Sequence, residues 1–364
     1  MKKKILHNKP TIDKEEIQAV TQVLKSGWLV QGPKTQEFEN TFCNYIGLPE
    51  GRAVAMSNGT SALYVALKAL KVGEGDEVIV PTYVCTSLLN AVYMAQAKPI
   101  IADIQEKDFN MSLLGVKKKA TNKTKAVILP HMFGVPADIV AMRQALRIPI
   151  IEDCATAIGS RIGQKHVGTF TNIAIFSFYA SKMVATGQGG MVVSNNPDYV
   201  EKARDFIDFD LGKGKQRGTR PFYPRFNLEI TDIQSALGIA QLKKIAMFLE
   251  SRKKIASAYQ NICNAKGWDY QKPVKDNFQS NNYRFVIKAD EKTIGKLQEH
   301  LKKNDIDSMI PIEHWELLHN FLKLKRNNFK IAEMISKQTL SLPIYPDLIK
   351  ENNIGGIIEC LKEF

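Results

Sequence analysis

The chain has 364 residues, 44% of them hydrophobic and 24% charged, with a formal net charge of +13. That is enough length for two domains and a composition able to bury a core, so it excludes a disordered or fibrous protein. No apolar run approaches the ~20 residues needed to span a bilayer, and Met1-Lys2-Lys3-Lys4 leads into no signal-peptide core, so no membrane association is expected. Five cysteines (Cys43, Cys85, Cys154, Cys263 and Cys360) are scattered without Cys-x-x-Cys spacing. Odd in number, they suggest reduced thiols, a cytoplasmic location and no structural zinc. The positive charge carries neither zinc-finger spacing nor an aromatic RNA-binding signature, so no nucleic-acid partner is expected.

Residues 11–26 have helical spacing, with Thr11 as the candidate N-cap and Ile17, Val20 and Leu24 on one face. Ser26-Gly27-Trp28 ends this segment, and Trp28 is either a core residue or a pocket wall, with the core favoured. Gln31-Gly32-Pro33 makes a turn before a second helix, Thr35 to Tyr45. Ser57-Asn58-Gly59-Thr60-Ser61 then opens a helix running Ala62 to Leu70. It is either a plain cap or an anion site, since small residues at a helix start leave N–H groups pointing outward.

Strands and helices alternate from there. Glu77 to Pro81, Pro99 to Ala102, Ala126 to Leu129 and Ile148 to Ile151 read as strands; Cys85 to Met94 and Ile139 to Leu146 read as helices. Lys117-Lys118-Lys119, near a helix end, reads as a solvated face. Continuous apolar strands between helices predict an α/β fold with a mostly parallel sheet covered on both faces. Asp153 follows one strand. Ile173 to Phe178 is another buried strand, with Lys182 just beyond it and Gly187-Gln188-Gly189-Gly190 leading into Met191 to Ser194. Open α/β sheets bind ligands beyond the carboxyl ends of their strands. A lysine, an aspartate and an anion-binding helix start there match the aldehyde, pyridinium and phosphate of pyridoxal phosphate.

After a helix over Val200 to Phe206, residues 212–225 carry five basic side chains, Arg217 and Arg220 among them, and no acidic one. The segment is either solvated or a clamp for a polyanionic substrate. Thr231 to Lys254 reads as one long helix. Beyond it a second domain shows strand pattern at Tyr283 to Lys288 and helices at Lys292–Lys303 and Asn328–Lys337. His314 and His319 lie there, with surface or core roles favoured over substrate contact.

Ser26 to Pro33, Ser57 to Leu63, Gly75 to Pro81, Glu152-Asp153, Ser177 to Lys182, Thr231 to Gln234 and Leu340 to Pro346 form an ordered set of motifs over nearly the whole chain. On these the sequence resembles the DegT/DnrJ/EryC1/StrS sugar aminotransferases, fold type I pyridoxal phosphate enzymes. The resemblance implies a large cofactor-binding domain, 1–245, and a small α+β C-terminal domain, 246–364. It implies that Lys182 bonds the cofactor aldehyde and shuttles protons, and that Asp153 keeps the pyridine nitrogen protonated. Gly59, Thr60 and Ser177 would bind the phosphate, joined by Asn227 from a neighbouring subunit in a homodimer with shared sites. Cys85 stands where an aromatic residue commonly stacks on the cofactor ring, with Tyr83 or Tyr179 as substitutes. Thr156 stands where Gln or His is usual near the phenolic oxygen, while Gln188 replaces a usual Glu and Glu229 a usual Arg or Lys. Trp28, Tyr179, Arg217 and Arg220 are the candidate substrate contacts. The expected reaction moves an amino group from L-glutamate to a keto-deoxysugar nucleotide in amino-sugar biosynthesis. The alternatives are a non-nucleotide ring ketone such as a keto-cyclitol, or a non-enzymatic regulator retaining the fold. A histidine at position 182 would mark a dehydratase branch, and Lys182 argues against it.

Overall fold

The computed structural model describes residues 4–209 and 225–364. Seven strands build the main sheet: β1 (Ala53–Met56), β2 (Glu77–Pro81), β3 (Lys98–Ala102), β4 (Thr124–Pro130), β5 (Ile150–Asp153), β6 (Ile173–Ser177) and β7 (Gly190–Val193). Their order is β1-β7-β6-β5-β4-β2-β3, and only β7 runs antiparallel to its neighbours. The fold is thus α/β with a mostly parallel sheet, as the alternating pattern predicts.

Each strand divides its side chains between the two faces because successive residues point to opposite sides. Val54, Val78, Val80, Ile128, Ile151 and Ile175 join one apolar cluster, with helix α3 (Gly59–Ala69) against it. Ala55, Ile79, Val127, Leu129, Ala174 and Phe176 join the other, covered by helix α2 (Pro33–Ile46), whose Phe38 and Phe42 make edge contacts with Phe178. This two-sided burial is why the strands read as continuous apolar runs.

A second sheet of three antiparallel strands, β8 (Asp269–Tyr270), β9 (Phe285–Lys288) and β10 (Thr339–Leu342), lies in the C-terminal third. It packs with Ile255, Tyr259, Leu297, Leu301 and Leu361 in a separate cluster. Leu317, Leu318, Phe329 and Ile335 of the same third belong instead to the cluster on the main sheet. The proposed boundary at 245/246 falls at the start of the helix Ile245–Lys266.

Two local expectations change. The single helix over 231–254 is two, Asp232–Lys243 and Ile245–Lys266, interrupted at Lys244 (φ −95°, ψ 1°). The Lys244 ammonium binds Glu16 at 2.7 Å and Asp13 at 2.5 Å, a tertiary anchor that no local spacing reveals. The first helix, α1 (Lys14–Ser26), is capped by Asp13 in a reciprocal box with Glu16, and Thr11 instead donates to Asp347 Oδ1 at 3.1 Å. Lys117 to Lys119 fill the last turn of Leu113–Lys119, where their charge complements the helix dipole.

The N-terminal segment is stitched to the C-terminal third. Ile5 N–H donates to Asp305 O at 2.9 Å, and the half-buried ring of His7 pairs through Nε2 with Ser341 Oγ, also at 2.9 Å. Burial and then the charge of Arg284 hold His7 down to about 3 from its ordinary 6.5. Between those values the unfolded chain binds the extra proton. The stability that neutral His7 contributes is therefore complete above pH 6.5 and is lost as pH falls toward 3. Urea midpoints measured from pH 7 to pH 4.5 should fall more steeply for the wild type than for His7→Gln; parallel curves would show that His7 is not held neutral.

Candidate active site

Four parallel strand ends meet around one cavity. β1 delivers Asn58, Gly59, Thr60 and Ser61; β2 delivers Cys85 and Ser87; β5 delivers Asp153; β6 delivers Ser177, Tyr179 and Lys182. The cavity has a volume of about 560 Å3, within the range of small-ligand sites. Ile175, Leu63, Leu88 and Met94 give it an apolar wall.

The anion-binding end is the start of α3. Asn58 Oδ1 accepts from Ser61 N–H at 2.8 Å and Asn58 O accepts from Ala62 N–H at 3.1 Å. Among the hydrogen bonds of the described residues, none takes the N–H groups of Gly59 or Thr60. A Cβ on Gly59 would sit 3.0 Å from Ser177 Cβ, so glycine lets the helix start and the Ser177 hydroxyl close on the same space. Gly190 serves the same approach from behind, because a side chain there would meet Asn58 O at 2.2 Å.

Asp153 lies across the cavity, on the same face of β5 as Ile151. Its Oδ1 accepts from Ala155 N–H at 3.0 Å. Burial pushes this carboxyl up, against the lowering effects of the Ala155 N–H, Lys182 and His131. A buried carboxylate in that state is best satisfied by a cation entering the cavity. The next residue back, Glu152, points to the other face. It accepts from Gly168 N–H (2.7 Å), Phe170 N–H (2.9 Å), Thr171 N–H (2.7 Å) and the Thr171 hydroxyl (3.0 Å), and it pairs with His131 Nε2 at 3.3 Å. Ala137 N–H donates to His131 Nδ1, so Nε2 carries the proton given to Glu152. These bonds fix the end of β5, and with it Asp153, rigidly.

Lys182 sits in a turn whose N–H donates to Tyr179 O at 2.8 Å. Its Nζ lies 5.3 Å from the centre of the Tyr283 ring, and Asn8 Nδ2 donates to the adjacent Ser181 O at 2.8 Å. Neither Tyr283 nor Asn8 was singled out by sequence; both are brought in by long-range packing.

The other candidates divide. Cys85 is exposed and lines the cavity, as do Tyr179, 49% exposed, and Gln188. Tyr83 cannot take part, because it is fully buried with its ring 6.1 Å from both Phe109 and Phe133. Thr156 is not in the wall; its hydroxyl donates to His131 O at 3.0 Å. Trp28 is 54% exposed, so the favoured core reading fails, and it does not line this chain's own cavity. Its indole presses on Gly32, where a Cβ would come within 2.0 Å of Nε1. Asn227 is also exposed and outside this cavity, with Oδ1 accepting from Glu229 N–H. Arg217 and Arg220 lie outside the described residues. His319 is fully buried, pairing with Thr82 Oγ1 at 2.7 Å and with Glu333 Oε1 at 2.9 Å, which makes it a core residue.

A profile of the DegT/DnrJ/EryC1/StrS aminotransferase family matches residues 10–362. A GDP-perosamine synthase of Escherichia coli O157:H7 is 33% identical, over 98% of this chain and 97% of its own. The spore coat polysaccharide biosynthesis protein SpsC of Bacillus subtilis is 31% identical, over 97% of this chain and 95% of its own. A Streptococcus pneumoniae protein solved in PLP and PMP forms is 25% identical with a TM-score of 0.91, covering 99% of this chain; the coverage of its own chain is 98% in the PLP form and 97% in the PMP form.

Proposed function

Because the chain belongs to the DegT/DnrJ/EryC1/StrS aminotransferase family, we propose that it is a pyridoxal phosphate-dependent enzyme that transfers an amino group from L-glutamate to a nucleotide-linked keto-deoxysugar. The observation that carries this reading is the single cavity joining Lys182, Asp153 and the open start of α3. Those residues fit the cofactor: donors and a cradle for a phosphate, a buried carboxylate for a ring cation, and an amine for an aldehyde. The names of the GDP-perosamine synthases among its relatives support the nucleotide-sugar substrate.

Bound there, pyridoxal phosphate supplies an aldehyde that exchanges amines and a ring that takes up the electron pair freed when a C–H bond breaks. The N–H groups of Gly59 and Thr60 and the Ser177 hydroxyl would hold its phosphate. Asp153 would keep a proton on the ring nitrogen, the charge of that cation relieving the carboxylate's own burial. Lys182 Nζ would hold the aldehyde carbon at rest and afterwards carry a proton between substrate carbon and bulk water. Tyr179, at the mouth, would limit water and contact the sugar, with Cys85 supplying a smaller surface than an aromatic ring.

The proposed assembly is a homodimer in which Asn227 of one subunit reaches the phosphate of the other, consistent with its exposure here. Met94 and Tyr179 leave apolar surface open at the mouth, 44% and 49% exposed, for such a partner to cover. Asn227→Ala and Lys182→Ala homodimers should each be crippled, while a mixed dimer regains one complete site and a measurable fraction of activity. No recovery in correctly assembled mixed dimers would remove Asn227 from the shared site.

The substrate is tested with a panel of keto-sugar nucleotides and glutamate, following 2-oxoglutarate release. Amination of a nucleotide sugar is expected; turnover of free ring ketones alone would favour the keto-cyclitol alternative. A nucleotide diphosphate brings charges that the sugar lacks, and arginine grips phosphate in a fork. Arg217→Ala and Arg220→Ala should each raise KM for the nucleotide sugar about tenfold, for ~1.4 kcal/mol lost, with kcat and the glutamate half-reaction little changed. Unaltered KM in both would make that segment merely solvated.

A further inference from the structure

Lys182 leaves a turn that local backbone closes on one side only. The peptide unit joining Ser181 to Lys182 carries two polar groups, the Ser181 carbonyl and the Lys182 N–H, and being planar it turns as one body. Tyr179 O takes the N–H at 2.8 Å. Among the described residues no backbone N–H donates to Ser181 O; its donor is Asn8 Nδ2, also at 2.8 Å and 173 positions away in the chain.

The Asn8 amide has a defined orientation. Its Oδ1 accepts from Lys9 N–H at 3.0 Å, which leaves Nδ2 to face the Ser181 carbonyl. The residues on either side are anchored in the C-terminal third. His7 Nε2 pairs with Ser341 Oγ at 2.9 Å, and Lys9 Nζ binds Glu351 Oε1 at 2.8 Å and Asp347 Oδ2 at 3.2 Å. Thr11 follows, its hydroxyl on Asp347 and its carbonyl accepting from Gln241 Nε2 at 2.8 Å. The segment is thus held before and after Asn8 by contacts that do not involve the lysine turn. Asn8 and Ser181 are both half-buried, so water competes weakly for their bond.

We propose that Asn8 is a positioning residue for Lys182: it fixes the Ser181–Lys182 peptide plane, and through it the direction in which the amine leaves the backbone. With the carbonyl and the N–H both held, rotating that plane breaks a hydrogen bond whichever way it turns. Without Asn8 the plane pivots about the bond to Tyr179 O, and the long lysine side chain magnifies the swing at Nζ. A displacement of about 1 Å at a reacting atom can cost ~10²-fold in rate. The same contact refers the lysine to the C-terminal third, whose Tyr283 ring meets the ammonium with Nζ 5.3 Å from its centre. The consequence for turnover rests on the role proposed above for Lys182; the hold on the peptide does not.

The test uses the full chain and follows hydrogen exchange at the Lys182 amide, capture of added pyridoxal phosphate by its absorbance, and steady-state rates. Exchange at that amide should be about tenfold faster in Asn8→Ala and in Asn8→Asp, the second of which keeps the shape and loses the donor. In both variants capture and kcat should fall about tenfold while KM for either substrate stays within about twofold, with urea midpoints close to that of the wild type. Lys9→Met removes anchors of the same segment and spares the Asn8 bond, so it should keep wild-type exchange and capture. Unchanged exchange in both Asn8 variants overturns the hold, and faster exchange with unchanged capture overturns the aim it gives the amine. Equal losses in Lys9→Met would assign the effect to the segment and remove Asn8. A wild type that captures no pyridoxal phosphate on Lys182 would instead sink the cofactor role, and the aim with it, whatever the exchange shows.

Discussion

Lys182→Ala should lower the overall rate by about 10⁴-fold or more while leaving the fold and the affinity for cofactor largely intact. The expectation follows from two duties on one nitrogen. Proton transfer by a positioned side chain alone is worth about 10²–10⁴-fold, and the covalent hold on the aldehyde adds to it. The turn is closed by backbone, with Lys182 N–H on Tyr179 O, and the side-chain charge rests on the Tyr283 ring. Steady-state rates with glutamate and a keto-sugar nucleotide check this, beside circular dichroism. Turnover within tenfold of wild type would place the chemistry on another group.

Asp153→Asn should lower kcat by on the order of 10² or more with little change in KM, because the carboxylate matters most when the ring must accept electrons. Asparagine keeps the size and an oxygen for the Ala155 N–H, so the end of β5 survives. Burial already disfavours the charge on Asp153, so the variant should unfold at an equal or higher urea concentration in the absence of cofactor. Near-normal kcat would reduce Asp153 to a turn former, and a large loss of stability would show that its role is structural.

The parallel sheet was legible because its strands are buried on both faces and bounded by turn residues. Ile173 to Phe178 illustrates this, its carboxyl end placed within one residue by pattern alone. The cavity was legible for the same reason: Asp153 and Ser177 end their strands, Lys182 and the Gly59 turn follow strand ends, and topology brings strand ends together. Long-range contacts were not. Tyr283 stands 101 positions from Lys182 at the entry to a short strand, and nothing in its neighbours marks it as a ring for an ammonium. Trp28 looked like core because large aromatics usually are, yet a glycine turn folds its indole over Gly32 at the surface. Tyr83 shows the converse, an apparent site aromatic that α/β packing sends into the interior. At the break, Lys244 pairs with Glu16 and Asp13, more than two hundred positions away, and helical periodicity carries no trace of those contacts.

Borohydride reduction of the purified, pyridoxal phosphate-loaded protein decides whether Lys182 carries the cofactor. Reduction should bleach the yellow absorbance and fix the pyridoxyl group irreversibly, and peptide mapping should then find a single modified lysine. That label should lie on Lys182 in the wild type and on no residue in Lys182→Ala. A label on any other lysine, or a protein that binds no pyridoxal phosphate, would remove Lys182 from the cofactor.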